Sequence, residues 1–412
     1  NVDVDNELYV HYEAIIDPDN TRRMLLTSTG QTDHLANKVP RRFRHMIMAA
    51  SKTADKEEAE NPNPDSKSAR LTQHIVKNIN SENANTAAAE LTPSLSPHAA
   101  HNANLALKAA GKTLDDRMSG KRTGISTGDI FSAGGAWIQY SYSKATQDIN
   151  DNVPGYHAKT NGFAIGTDNP VEEDQDIEVG IAYTYAKGKI EGNDGSRNKI
   201  DTDTHIFSLY SSFIEDDFFF DGRMSYSFGK NKGHRYVGSN QHDAKYDTQS
   251  WGVGLTGGYT YPLGYGLSWQ PQVAFNYYTI KTSDFSESAR DPAQTFLSYD
   301  QVNNGKYDIM ELGAGLKLIG DINTDTLIIK PELGLMGYHD FKNDPVAITA
   351  HFAAGGESFL IHGADRDTNR YQFDATIHMD IQNHTTFTFS YSHHWADNFK
   401  ADGFIARVRY EF

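Results

Sequence analysis

Phe404-Ile-Ala-Arg-Val-Arg-Tyr-Glu-Phe412 closes the sequence, and its alternation decides how everything upstream is read. Phe404, Ala406, Val408, Tyr410 and Phe412 share one face of a strand, and Ile405, Arg407, Arg409 and Glu411 share the other, because side chains alternate with a period of two. One face is apolar; the other carries two cations and an anion. Arg is costly to bury in a soluble core, whereas a wall with hydrocarbon on one side and water on the other suits both faces. The stretch therefore reads as the closing strand of an outer-membrane β-barrel. The competing reading, an amphipathic edge strand of a soluble sheet, requires that nothing upstream repeat the pattern.

The pattern does repeat. Ala136, Ile138, Tyr140 and Tyr142 alternate with Trp137, Gln139, Ser141 and Ser143, and a weaker strand around Gly162-Phe-Ala-Ile-Gly166 ends at Asp168-Asn-Pro170. Further apolar faces run through Ile177 to Tyr185, Phe207 to Phe213, Phe220 to Phe228, Trp251 to Tyr261, Leu267 to Tyr277, Met310 to Leu318, Leu327 to Leu335, Tyr371 to Ile381 and Phe387 to Tyr391. With the terminal stretch this makes about twelve strands, each able to supply the roughly 9–11 residues of a tilted membrane-crossing strand. Turns at 215–217, 262–265, 321–325 and 382–384 read as short, and 230–245, 282–304 and 340–368 as long and polar, the expected asymmetry between periplasmic and external rims. On the faces opposite the aromatics stand Glu178, Arg223, Glu311, Lys317, Lys330, Glu332, Asp374, Asp380, Arg407 and Arg409. All ten are expected to point into the lumen. The fold class expected is an all-β membrane protein, an antiparallel barrel of about twelve strands.

Composition agrees with such a wall. Tyr and Phe number 22 and 21 in 412 residues while the chain stays hydrophilic, as when only every second residue meets lipid. A net charge of −16 argues against nucleic acid as a partner. No stretch is long and apolar enough for a transmembrane helix, and no signal peptide stands at Asn1, so the sequence is expected to begin at a processed end or inside a longer chain. The lack of cysteine excludes disulfides and thiolate metal sites and suits passage through an oxidising periplasm.

Ahead of the strands, Glu7-Leu-Tyr-Val-His-Tyr-Glu-Ala14 alternates up to the turn cluster Asp17-Pro-Asp-Asn20. The basic run Arg41-Arg42-Phe43-Arg44 reads as a solvated helix start rather than an acidic-lipid patch, and Ser51 to Ser68 as a mobile, Pro-punctuated linker. Leu71, Ile75 and Ile79 recur at helical spacing, and the Ala-rich run at 87–89 continues the tendency to Pro93. A second helix starts at Ser96-Pro97, an N-cap followed by Pro at the first helical position, and is expected to stop at Ser119-Gly120 after Met118. Its ~22 residues span about 33 Å, close to a hydrocarbon thickness. Asn104, Lys108, Lys112 and Arg117 are among the polar side chains spread around it, so it cannot face lipid. A slim, Ala-rich helix of that length fits a water-lined pore. Its cations are expected to meet inward carboxylates such as Glu178, Glu311, Glu332, Asp374 or Asp380, since charge in a narrow pore is retained mainly when paired.

Residues 70 to 412 resemble the translocator domain of monomeric autotransporters, the type V secretion family. The resemblance rests on Ala-Ala-Ala-Glu-Leu-Thr-Pro93, the Leu-Asp-Asp-Arg-Met118 helix end, Gly-Ala-Trp137, Gly-Phe-Ala-Ile-Gly-Thr-Asp168 and the terminal Phe412, in that order. It implies a twelve-stranded barrel holding a helical linker in its pore, in the bacterial outer membrane of a Gram-negative cell. The implied division is residues 1–70 as the end of a passenger or stem, 71–130 as helical linker with the pore helix at about 96–118, and 131–412 as barrel. The N-terminal part would be exposed at the cell surface, and the barrel would export and anchor its own passenger, whether adhesin, protease or esterase. Phe404, Val408, Tyr410 and Phe412 resemble the signal read by the barrel-assembly machinery. Implied partners are outer-membrane lipid and lipopolysaccharide, that machinery, periplasmic chaperones and the passenger, with the barrel monomeric. Some members release their passenger by Asn cyclisation at an Asn-Asn pair in the pore helix. Here the matching place holds Lys112-Thr113, and Asn102 and Asn104 are separated by Ala103, so the sequence departs from that route.

No catalytic residue, metal site or cofactor is expected. His393-His394-Trp395 could suggest a metal, but adjacent strand residues face opposite ways. Asp374, His378 and Asp380 share a face, as lumen charges ordinarily do. Two other function classes stay open: a stand-alone channel or porin, against which the pore helix argues, and an outer-membrane enzyme with a site on the external rim.

Overall fold

The alternating stretches fold into one closed antiparallel sheet in the computed structural model. Described are residues 134–411 except 151–152, 172–176, 194–196, 325–326, 343, 364–365 and 382–383, together with 46, 48–49, 65–78, 90–93, 96–122 and three short strands before residue 29. Twelve strands form the wall: β1 Gly135–Gln147, β2 Tyr156–Pro170, β3 Ile177–Gly192, β4 Lys199–Glu215, β5 Phe218–Val237, β6 Asn240–Tyr259, β7 Leu267–Thr282, β8 Lys306–Gly320, β9 Leu327–Asp340, β10 Asn369–Ile381, β11 Thr385–Trp395 and β12 Phe399–Glu411. Each pairs with its sequence neighbour, and β12 returns to β1 with Phe404 opposite Tyr142 and Glu411 opposite Gly135. Closure leaves the wall no free edge, as lipid requires of backbone hydrogen bonds.

The wall is inverted relative to a soluble protein. Ile181, Leu209, Met224, Val273 and Leu335 are half exposed on the outside, while Glu178, Glu332, Asp380 and Arg407 are buried inside. Such a surface is stable only where the surroundings are hydrocarbon. β2 is longer than the Gly162–Gly166 core of its pattern, because its outer half alternates in polar residues and lies beyond the aromatic band.

Three expectations need correction. Residues 230–245 are not a loop: β5 and β6 stay paired to Val237 opposite Asn240 and turn at Gly238, whose φ is 57°. Above the lipid the outward face meets water, so Lys230, Lys232, Asp243 and Lys245 replace the aromatics there and hydrophobic periodicity fades while the ladder continues, with Val237, Ala244 and Tyr246 buried on the inward side. The stretches 282–304 and 340–368, expected to be polar, carry strands Tyr299–Asn304, Ala347–Phe352 and Phe359–His362 as a separate three-stranded sheet, with a 3₁₀ helix at Pro292–Leu297, and bury apolar side chains such as Phe296, Val302 and Phe352. Connections on the external rim are not uniformly long either, since β11 passes to β12 through residues 396–398 alone.

Two helices precede the wall, α1 Lys67–Asn78 and α2 Ser96–Arg122. α1 thus starts within the expected linker, the rest of which, 51–64, lies outside the described residues, as does Arg41-Arg42-Phe43-Arg44. α2 does not end at Ser119-Gly120. Gly120 sits where a Cβ would come within 3.2 Å of the His378 ring, so the glycine there serves close approach to the wall rather than helix termination. Near the start of the chain, Tyr12–Ile16 pairs with Val2–Val4 and Met24–Ser28; Glu7 to His11 lie outside the described residues.

Candidate functional site

α2 meets the wall on every side. Asn102 donates to Thr202 on β4 at 2.8 Å, Lys108 reaches Glu311 on β8 at 2.6 Å, and Asp115 pairs with Arg223 on β5 at 2.7 Å. Arg117 reaches Asp168 on β2, Ser119 reaches Glu332 on β9 at 2.9 Å, and Thr113 accepts from Gln139 on β1 at 2.7 Å while its carbonyl accepts from Arg407 on β12. One helix can touch strands around the whole circumference only from within. With 27 residues it rises about 40 Å, enough to pass through the wall's full height.

Its composition follows from the space. Ala100, Ala103, Ala106 and Ala110 are buried against the wall, and at Gly111 a Cβ would lie 2.8 Å from Arg223 Nε. Good helix propensity with minimal side-chain volume is what Ala supplies. Leu107, Leu114 and Met118 add apolar contact, the last two against Trp137, Ala164, Ala182 and Tyr210 of the inner wall.

The charges form three tiers. In the outer tier Glu311 holds Lys108 and Arg370, the latter at 2.9 Å. In the middle tier Lys112 pairs with Asp116 one turn on and lies 3.5 Å from Asp374. In the inner tier Arg117 grips Asp168 at 2.7 and 2.8 Å and lies 3.5 Å from Glu178; Asp168 also accepts from Tyr210 at 2.7 Å and from Arg409 at 3.4 Å. Buried charges persist when paired and hydrogen-bonded in this way.

The remaining named residues take varied places. Glu332 is held by Lys317 at 2.9 Å and His378 at 3.3 Å and meets Ser119 rather than a helix cation. Asp380 is buried but is not among the carboxylates that Lys108, Lys112 and Arg117 meet. Lys330 pairs with Asp321 at a turn, Arg223 also reaches Asn276 at 2.8 Å, Arg407 donates to Gln139 at 2.9 Å, and Arg409 also holds Glu411. Asn104 Oδ1 has no hydrogen-bond partner among the described residues. Phe404, Val408 and Tyr410 face outward; Phe412 lies outside the described residues. His393 points out to Asp402 at 2.8 Å while His394 turns inward. Among the described residues no group of three ligating side chains could hold a metal ion.

Asp168, Tyr210 and Arg370 were not singled out from sequence as members of the site. Asp168 stands in what reads as a turn cluster, yet continuing the inward parity of Gly162, Ala164 and Gly166 by one step lands on it. Arg370 is found by the same step backward from Gln372 and Asp374.

The fit is not space-filling throughout. A cavity of about 200 Å³ remains beside the outer half of α2, bordered by Asn104, Lys108, Tyr338, Arg366, Arg370 and His394, and a smaller one of about 60 Å³ lies by Lys112 and Asp374. The smaller, bordered by charged side chains, is polar enough and roomy enough to hold a few waters.

The autotransporter β-domain family model matches residues 136–392. Outer membrane protein A of Rickettsia conorii is 29% identical over 267 residues, which covers 61% of this chain and 13% of that protein. The chain therefore corresponds to a small part of its curated relatives. Among solved structures, the translocator domain of the autotransporter NalP from Neisseria meningitidis superposes with a TM-score of 0.56 at 15% identity, covering 74% of this chain and 98% of that one. The β domain of the Bordetella autotransporter BrkA gives 0.52 at 17% identity, covering 68% and 100%.

Proposed function

Because the chain belongs to the autotransporter β-domain family, we propose that its barrel exports the polypeptide N-terminal to α2 and then anchors it, with α2 left behind as the plug. The barrel is an outer-membrane protein. The observation that carries the proposal is a polar helix held from all sides in the lumen and joined, through residues 123–134, to the first wall strand. On this reading residues 1–70 are the end of a passenger or stem, 71–130 the linker and 131–412 the translocator. The helix residues Asn104, Lys108, Lys112 and Arg117 act with the inward charges as a seat for the plug, not as a catalytic or metal centre.

Assembly follows from the same geometry. β12 and β1 are the terminal strands whose pairing closes the wall, so Phe404, Val408 and Tyr410 on the outer face of β12, with Phe412 following them in the sequence, serve as the signal by which the barrel-assembly machinery, after delivery by periplasmic chaperones, catches that edge. Lipid and lipopolysaccharide then surround a monomeric barrel.

The test joins two measurements. An epitope placed ahead of Asn1 is expected to be removed by protease added to intact cells. In planar bilayers, deletion of residues 1–118 is expected to raise conductance sharply over the full chain. An epitope that stays protected inside intact cells defeats the export reading, and unchanged conductance defeats the plug.

A further inference from the structure

The external loops close over residues 67–78 and 90–91 with an apolar core that continues down along the Ala-rich upper half of α2, in contrast to the charged tiers below. Leu71, Ile75 and Leu91 are almost fully buried, in one cluster with Phe296, Leu297, Tyr299, Val302, Phe352 and Phe359 of the 3₁₀ helix and the three-stranded sheet. Such a core is unusual for loops that border water, where polar, mobile connections are the norm. Here Tyr299 and Val302 are completely inaccessible.

Polar contacts fix what the apolar ones bring together. Arg235, at the top of the β5–β6 hairpin, is clamped by Glu287 at 2.8 Å and by the Leu297 carbonyl at 2.7 Å, and stacks 4.8 Å from the centre of the Tyr299 ring. So held, it donates to the Glu90 carbonyl at 3.0 Å, while the Tyr299 hydroxyl donates to the Leu91 carbonyl and the Gly238 amide donates to the Glu90 carboxylate at 3.0 Å. On α1, Arg70 lies over the Phe296 ring at 4.8 Å and donates to the Ala293 carbonyl at 2.7 Å, and His74 meets Phe296 edge-on. The cap thus binds two consecutive backbone carbonyls just ahead of α2, and one face of α1.

We propose that this cap is a capture site for α1 and for Glu90-Leu91, and that capture gives export its direction. The segment directly precedes α2, so it is the first part of the exported chain to stand outside once α2 occupies the lumen. Its docking surface exists only on the external side. Leu71, Ile75 and Leu91 therefore lose water contact only after they have emerged, and each docked group opposes return through the pore. The cap converts a symmetric pore into one that holds what has already passed. This rests on the translocator reading of the barrel.

The experiment uses the full chain with an epitope ahead of Asn1, in three versions: unaltered, Leu71→Asp with Ile75→Asp on the segment side, and Phe296→Asp on the cap side. None of these positions belongs to a wall strand, so heat-modifiable migration in detergent is expected to stay unchanged and shows that each barrel has folded. In pulse-chase labelling, both altered chains are expected to expose the epitope to external protease several-fold more slowly than the unaltered one, and to be cleaved within residues 67–78 where the unaltered chain resists. Exposure of the epitope at the unaltered rate in both altered chains, with or without new cleavage, overturns the capture proposal. Failure of the unaltered chain to expose its epitope at all overturns the translocator reading instead, and the proposal with it.

Discussion

Arg117 and Asp168 meet inside the barrel through two parallel contacts, Nη2 to Oδ1 at 2.7 Å and Nε to Oδ2 at 2.8 Å, with both side chains out of reach of solvent. Residues 51 positions apart, one on the helix and one on β2, lock the plug to the wall at a single height. A two-point Arg–carboxylate pair fixes orientation as well as distance.

Arg117→Ala leaves Asp168 with Tyr210 and a longer contact to Arg409. Removing one member of a buried pair costs about 3–5 kcal/mol. The expected result is a higher single-channel conductance and a lower thermal unfolding midpoint than the parent, with Arg117→Lys intermediate because a point charge cannot make the two-point contact. Equal conductance in all three proteins would refute the locking role.

Lys108→Ala is expected to do less. Glu311 keeps its second cation, Arg370, at 2.9 Å, so the carboxylate is not stranded. Combining Lys108→Ala with Arg370→Ala should cost more than the sum of the two single changes, read as unfolding midpoints in a double-mutant cycle. Strict additivity would show that the three charges do not act together.

Gly111→Leu is expected to unseat the helix without harming the wall. Even a Cβ at this position would stand 2.8 Å from Arg223 Nε, and Arg223 is tied to both Asp115 and Asn276. Conductance should rise while heat-modifiability in detergent is retained. Gly111→Ala, which asks for a smaller displacement, should lie between the two. Loss of heat-modifiability in the leucine variant would mean that the helix is needed for the barrel to fold.

Tyr410→Asp and deletion of Phe412 are expected to reduce outer-membrane insertion and increase periplasmic degradation, measured by fractionation and immunoblotting. Tyr410 is on the outer face of β12, opposite Ala136 of β1, where the first and last strands of the wall meet. Normal insertion of both would remove the assembly role of this face.

Met224→Arg places a cation midway along the lipid-side apolar band of β5, between Phe220 and Phe228. The cost of Arg near a bilayer midplane is about 2–4 kcal/mol. A matching loss of unfolding free energy in lipid vesicles is expected, whereas Tyr226→Phe should change it little.

The sequence by itself determined the wall. Strand periodicity is a local property, and in each lipid-crossing stretch every second residue must satisfy hydrocarbon, so the apolar faces, the inward set from Glu178 to Arg409 and the presence of a polar, slim helix starting at Ser96 were all written in short windows. The same windows fell silent above the lipid, where β5 and β6 continue as a polar ladder and the external loops hide an apolar core. Only the tertiary structure decided which charges meet. Lys108 chooses Glu311, Arg117 chooses Asp168 over the equally acidic Glu332, and Glu332 is claimed by Lys317 and His378. Those choices depend on the height and rotation of α2 against strands 26 to 294 residues away, and no local pattern records them. The capture of Leu71, Ile75 and Leu91 by Phe296 and Tyr299 is of the same kind: each side is an ordinary apolar residue until chain closure brings the external rim over the helix.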